Sequence, residues 1–149
     1  DCGLDDKACA ALFEGLAAPA LRKLVLEGNG LGARGGAALA AAVQKGALPG
    51  LEELNLQSCK LDQEAGVALF EGLSAPALQK LILQDNGLGP ALKARGGAAL
   101  AAAVQKGDLP AIQELDLRHC ELDDVAGAEL LRALARRTAG AEEVGPRRQ

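Results

Sequence analysis

The chain of 149 residues repeats itself, and that fact limits its possible folds more than any single motif does. Ala33 to Gly46 recurs without change as Ala94 to Gly107, and ALFEGL at Ala11 to Leu16 recurs at Ala68 to Leu73. Aligned on these copies, one pattern appears four times: L-x-x-L-x-L-x-x-(N or C)-x-L. It reads Leu21, Leu24, Leu26, Asn29, Leu31, then Leu51, Leu54, Leu56, Cys59, Leu61. It continues as Leu78, Leu81, Leu83, Asn86, Leu88 and ends as Ile112, Leu115, Leu117, Cys120, Leu122. The starts at 21, 51, 78 and 112 are 30, 27 and 34 residues apart, the last interval being stretched by the insert Pro90 to Lys93. Asp1 to Leu4 reads as the tail of a fifth copy. A period of this length marks a solenoid, in which no unit buries its own apolar face and stacking of neighbours makes the core.

Within a unit the spacing separates strand from helix. Leu24 and Leu26 are two apart and so face inward from one short strand. Asn29 or Cys59 then turns the chain, with a polar or thiol group able to bond backbone that the turn leaves unpaired. A helix follows, with apolar residues four apart: Leu12 and Leu16, Leu39 and Val43, Leu69 and Leu73, Leu100 and Val104, Leu130 and Leu134. Gly66 and Gly127 sit at matching helical sites, as if to let helix and strand approach closely. Pro19, Pro49, Pro76 and Pro110 each precede the next strand. With 31 Ala, 28 Leu, two Phe and no Trp, Tyr or Met, the core must be Leu on an Ala background. The expected fold is α/β, with four parallel strands on the concave side and five helices on the convex side. Residues 1–137 form the repeat domain, with a half repeat at 1–20, and 138–149 form a polar tail.

These residues resemble leucine-rich repeats, and specifically the ribonuclease-inhibitor class with its long helical units. The turn residue alternates Cys, Asn, Cys, Asn, Cys at positions 2, 29, 59, 86 and 120, and a two-repeat unit of 57 residues runs from Leu21 to Leu78. Such alternation is similar to that of ribonuclease inhibitors, and the repeat class also resembles NOD-like receptors and Ran GTPase-activating proteins. The resemblance implies the fold more firmly than an activity. It implies a non-enzymatic protein–protein interaction module, an accessory or scaffold subunit or part of a longer repeat protein, with a small-GTPase regulator as the alternative. The perfect duplication also suits a consensus design, against which stand the insert, the unequal repeats and the ragged tail.

Other functions find little support in the residues. A net charge of -4 argues against nucleic acid, which calls for a basic face. No apolar run approaches the roughly 18 residues of a membrane span. Cys2, Cys9, Cys59 and Cys120 lack the short ligand steps of a zinc site, so no metal or other cofactor is expected. They read as free thiols in the cytoplasm or another reducing compartment. The start without Met reads as a processed chain or a fragment, so organelle import stays open. His119 beside Cys120 invites a nucleophile pair, but neighbours on a strand point to opposite faces, so no catalytic residue is assigned. Gly30 to Gly35 reads G-x-G-x-x-G with Glu52 and Glu53 beyond it, as in a dinucleotide site. The homologous loop is split by the insert, however, and the acidic pair precedes its strand. Phe13 and Phe70 share a helical site and read as packing between helices, and Arg132, Arg136 and Arg137 as a solvated last helix.

Partner-binding residues are therefore sought on the strand face. Its outward rows are Lys23, Glu53, Lys80, Glu114; then Val25, Asn55, Ile82, Asp116; then Glu27, Gln57, Gln84, Arg118. The first row is an alternating-sign ladder, and Arg118 with a Val25–Ile82 patch are the best anchors. Pro90 and Lys93 join them, because the insert should bulge outward where solenoids collect binding loops. Four strands give a face on the order of 300 Å², well under the roughly 800 Å² per partner of a standard interface. The N-terminal end is expected to be a second interface: the strand at Leu21 to Leu26 has an open edge, to be covered by another subunit or by upstream repeats. The C-terminal end is capped by Glu129, Arg132, Arg136 and Arg137.

Overall fold

The first Leu of each inward pair centres a strand of three residues, and the second lies just beyond it. In the computed structural model, which describes residues 3–72, 74–86, 97–107, 109–120, 127–128, 130–132 and 135, these are β1 (Lys23–Val25), β2 (Glu53–Asn55), β3 (Lys80–Ile82) and β4 (Glu114–Asp116). They form one parallel sheet in the order β1-β2-β3-β4, with Leu24, Leu54, Leu81 and Leu115 in one register. Leu54 and Leu81 are fully buried, as are Leu56 and Leu83 two residues on. The expected sheet and register are the observed ones.

A proline turn feeds every strand. Leu21, Leu51, Leu78 and Ile112 each donate a backbone N–H to the carbonyl three residues back, on Ala18, Leu48, Ala75 and Leu109. Pro19, Pro49, Pro76 and Pro110 stand second in these turns, where a fixed φ and a missing N–H cost nothing. Helices return the chain on the other side: α1 (Asp6–Glu14), α2 (Gly32–Gln44), α3 (Gln63–Gly72) and α4 (Gly97–Lys106), with helical residues at 127–128, 130–132 and 135 where a fifth is expected. Leu39, Leu69 and Leu100 pack into the core with Phe13 and Phe70, so both phenylalanines are core residues.

The structure adds one feature to these helices and corrects one expectation about them. Small residues at other positions, Gly35, Gly36 and Gly72, serve helix–helix contact, which the expectation of close helix–strand approach at Gly66 and Gly127 did not include. A Cβ placed on Gly36 would lie 2.9 Å from the Ala65 Cβ, one on Gly72 2.9 Å from the Ala40 Cβ, and one on Gly35 3.0 Å from the Cys9 Cβ. Leu12 is not core: it is 46% exposed, whereas its counterpart Leu69 is 0% exposed. The helix of Leu69, α3, packs between α2 and α4, whereas among the described elements α1 packs against α2 alone.

The turn residues tie each unit to the one before. Asn86 Nδ2 donates to the carbonyls of Leu56 and Leu83, both at 2.8 Å, while its Oδ1 accepts from the N–H of Cys59 at 3.0 Å and of Leu61 at 3.2 Å. Asn29 Nδ2 donates to the Leu26 carbonyl, and its Oδ1 accepts from the Leu4 N–H. The thiols reach back in the same direction: Cys59 Sγ donates to the Leu26 carbonyl at 3.0 Å, and Cys120 Sγ to the Leu83 carbonyl at 2.9 Å. Cys9, Cys59 and Cys120 are free and buried. Burial pushes all three thiols up, Cys59 to about 11, so none is a ready nucleophile near neutrality. The expectation for Cys2 lies outside the described residues.

Candidate functional site

Parallel pairing brings the outward side chains of the four strands into straight rows. Lys23, Glu53, Lys80 and Glu114 are successive partners in register, as are Val25, Asn55, Ile82 and Asp116. The charged row closes as two ion pairs, Lys23–Glu53 at 3.1 Å and Lys80–Glu114 at 3.4 Å. One residue upstream lies a further polar row, Arg22, Glu52, Gln79 and Gln113, with Arg22 paired to Glu52. Together the two rows line an open groove of about 560 Å³.

The second row alternates with repeat type. Val25 and Ile82 are apolar, but Asn55 lies between them, so they do not form a continuous patch. Asn55 and Asp116 turn their side chains back on their own strands: Oδ1 accepts from the N–H two residues on, of Gln57 at 2.9 Å and of Arg118 at 3.1 Å. Asp116 also holds the Arg118 guanidinium, through Nε at 3.0 Å and Nη2 at 2.7 Å. That bonding lowers the Asp116 carboxyl below its ordinary range and raises Arg118. Glu27, Gln57 and Gln84 complete the third row with Arg118. Pro90 and Lys93 lie outside the described residues, as does the expected outward bulge of their insert.

Sequence reasoning passed over one further row, at the turn position just before each Asn or Cys: Gly28, Ser58, Asp85 and His119, all in the left-handed region with φ from 54° to 78°. Its signal was the position itself, since Gly, Asp and His tolerate that conformation better than most residues. His119 Nδ1 lies 2.7 Å from Asp85 Oδ1. Ser58, Asp85 and His119 have the composition of a hydrolytic triad in the wrong order. The aspartate stands between the other two, and Ser58 is two strand spacings, about 9.6 Å, from the histidine it would need. His119 is thus a turn residue, not a strand residue as expected, and exposed beside buried Cys120.

The remaining candidates are similarly accounted for. In the G-x-G-x-x-G stretch, Gly30 donates its N–H to the Leu4 carbonyl, Leu31 to Cys59 and Gly35 to Leu31. These donors, which would cradle a phosphate, are spent on protein. A second concavity of about 670 Å³ lies between α1 and α2, floored by alanines and rimmed by Lys7, Glu14, Arg34 and Lys45. Among the described residues there is no metal-holding cluster of His, Cys, Asp or Glu, and no helix long and apolar enough to cross a membrane. At the N-terminal end β1 pairs with β2 alone among the described strands. Of the expected C-terminal cap, Arg132 is exposed and the other three residues lie outside the described set.

A family model described as a leucine rich repeat matches residues 18–40, 49–70 and 110–131. Each matched stretch starts near a proline turn and runs through strand and turn into the following helix. Among curated proteins no match is found. Among solved structures, the chain called Leiomodin-1 Actin-Binding Site 2 superposes with a TM-score of 0.71 at 17% sequence identity, over 96% of this chain and 79% of that one. At that identity the likeness is one of fold.

Proposed function

Because the chain is a leucine-rich repeat protein, folded as an α/β solenoid, we propose that it acts as a non-enzymatic protein-interaction module, an accessory or scaffold subunit whose strand face meets a protein partner. The observation that carries this reading is the register of that face. It aligns Lys23, Glu53, Lys80 and Glu114 with Val25, Asn55, Ile82 and Asp116 across the four strands, and backbone bonds at the following turns carry Glu27, Gln57, Gln84 and Arg118 as a third row. A leiomodin chain of like fold is named for binding actin, which supports reading a solenoid of this size as a binding unit. The ribonuclease-inhibitor subclass fits the alternation of Asn and Cys turns. A small-GTPase regulator is the alternative.

A second surface supports the same reading. The outer edge of β1 offers strand backbone, and α1, the helix before it, leaves Leu12 half-exposed, features suited to another subunit or to further repeats. Buried free thiols suit a reducing compartment. The test is affinity capture followed by mass spectrometry, using the chain and two variants. Lys80→Glu with Ile82→Asp should release a partner held by the strand face, while Lys7→Ser with Arg34→Ser on the convex side should retain it. The opposite pattern would move the site to the helices.

A further inference from the structure

Two rows of the strand face have a symmetry that no single repeat possesses and that the Arg22, Glu52, Gln79, Gln113 row, paired within its own half, does not share. The first row alternates in sign over four strands, so its two halves are opposite about the midpoint between β2 and β3. The third row, Glu27, Gln57, Gln84, Arg118, has the same property: negative at one end, neutral amides in the middle, positive at the other. A surface antisymmetric about an in-plane axis is complementary to itself, which is the requirement of an isologous interface. We propose that this face receives a second copy of the chain, face to face, about a twofold axis parallel to the strands between β2 and β3.

That operation lays β1 of one copy over β4 of the other, and β2 over β3. Lys23 then faces Glu114, Glu53 faces Lys80, and Glu27 faces Arg118, each contact being made twice. None of the existing ion pairs has to break. The Lys23–Glu53 pair of one copy lies over the Glu114–Lys80 pair of the other, so four charges of alternating sign close into a square. Asp116 engages Nε and Nη2 of Arg118, and Nη1 remains to offer Glu27. Gln57 meets Gln84 as two amides, and Asn55 meets Ile82. The least favourable pairing is Val25 over Asp116, whose carboxylate is already covered by Arg118. A face on the order of 300 Å² is below the size of stable interfaces, so the dimer is weak, assembled by charge and readily screened by salt. The inference rests on the strand face being the recognition surface and adds the partner's identity.

The experiment is sedimentation velocity of the whole chain from about 10 µM to about 1 mM, the range in which so small an interface associates. A reversible dimer is expected in about 50 mM salt and its loss in about 500 mM. Glu27→Arg and Arg118→Glu, confirmed as folded by circular dichroism, should each weaken dimerisation about tenfold or more. Mixed together they should restore it, because the two introduced residues face each other at one end and the two original residues at the other. Glu27 and Arg118 are three strand spacings apart within a chain, about 14 Å, so the rescue has no intramolecular route. Should either variant misfold, Lys23→Glu mixed with Glu114→Lys makes the same test. A monomer throughout the range, association indifferent to salt and to both reversals, or single variants that fail to complement each other would each overturn the inference. If the chain is monomeric yet strand-face substitutions still release a captured protein, only the self-pairing fails; if they release nothing, the strand-face reading fails as well.

Discussion

The Asn86 turn and the Cys59 turn occupy equivalent places one repeat apart, yet they satisfy their backbone in different ways. Asn86 concentrates the work in one buried amide with four backbone partners within 3.2 Å, two of them donors in the preceding repeat. Cys59 contributes a thiol whose main bond is to one carbonyl. The Cys-type repeats distribute the remainder along the chain. Asp5 and Asp62 cap α1 and α3 by accepting from the N–H of Ala8 and Ala65, and Asn55 and Asp116 secure the strand ends. In the Asn-type unit, α2 begins without a side-chain cap and Val25 stands where Asn55 does. One repeat type thus depends on a single side chain, the other on several weaker ones.

That contrast is open to direct attack. Asn86→Ala strands two buried N–H donors and the Leu56 carbonyl at once, leaving the Leu83 carbonyl with Cys120 Sγ alone, and should cost about 3–5 kcal/mol in urea denaturation. Cys59→Ala should cost only about 1–2 kcal/mol, from a lost weak bond and a small cavity. Equal losses would show that the two turns are interchangeable. Asp62→Ala should cost about 1 kcal/mol through the α3 cap. The smallest effect at neutral pH comes from titration. Because burial raises Cys59 from the ordinary 9.0 to about 11, its contribution is fully present below pH 9 and is lost as pH rises through about 11. Denaturation midpoints of the wild type should fall across that window and those of Cys59→Ala should fall less, whereas Asn86 has nothing to titrate.

The strands and their register were readable in advance because the two-residue alternation of Leu24 with Leu26 admits one pleat and one inward face. The turn residues were readable for a related reason: a buried turn leaves backbone groups that only Asn, Cys or a similar side chain can reach. The helices were harder to read. Gly35, Gly36 and Gly72 face neighbouring helices, a relation across repeats that spacing within one repeat does not encode. Leu12 matches Leu69 in sequence and differs in burial because its surroundings, not its helix, differ. On the strand face the rows could be written down, but not which members would pair. Asp116 capturing Arg118, and Asp85 meeting His119, depend on rotamers and on a left-handed turn.

The close approach of the helices also sets the bend of the whole solenoid. With Gly36 against Ala65 and Gly72 against Ala40, α2 and α3 sit near the lower end of helix spacings, about 8 Å. The strands beneath are about 4.8 Å apart and the two layers roughly 10 Å. That difference in spacing opens only about 18° per repeat, so an arc built of such units would need on the order of twenty repeats to come full circle. A bulkier residue at Gly36 would act as a wedge on the outer rim and tighten that arc, changing the radius of the solenoid without altering a residue on its inner surface.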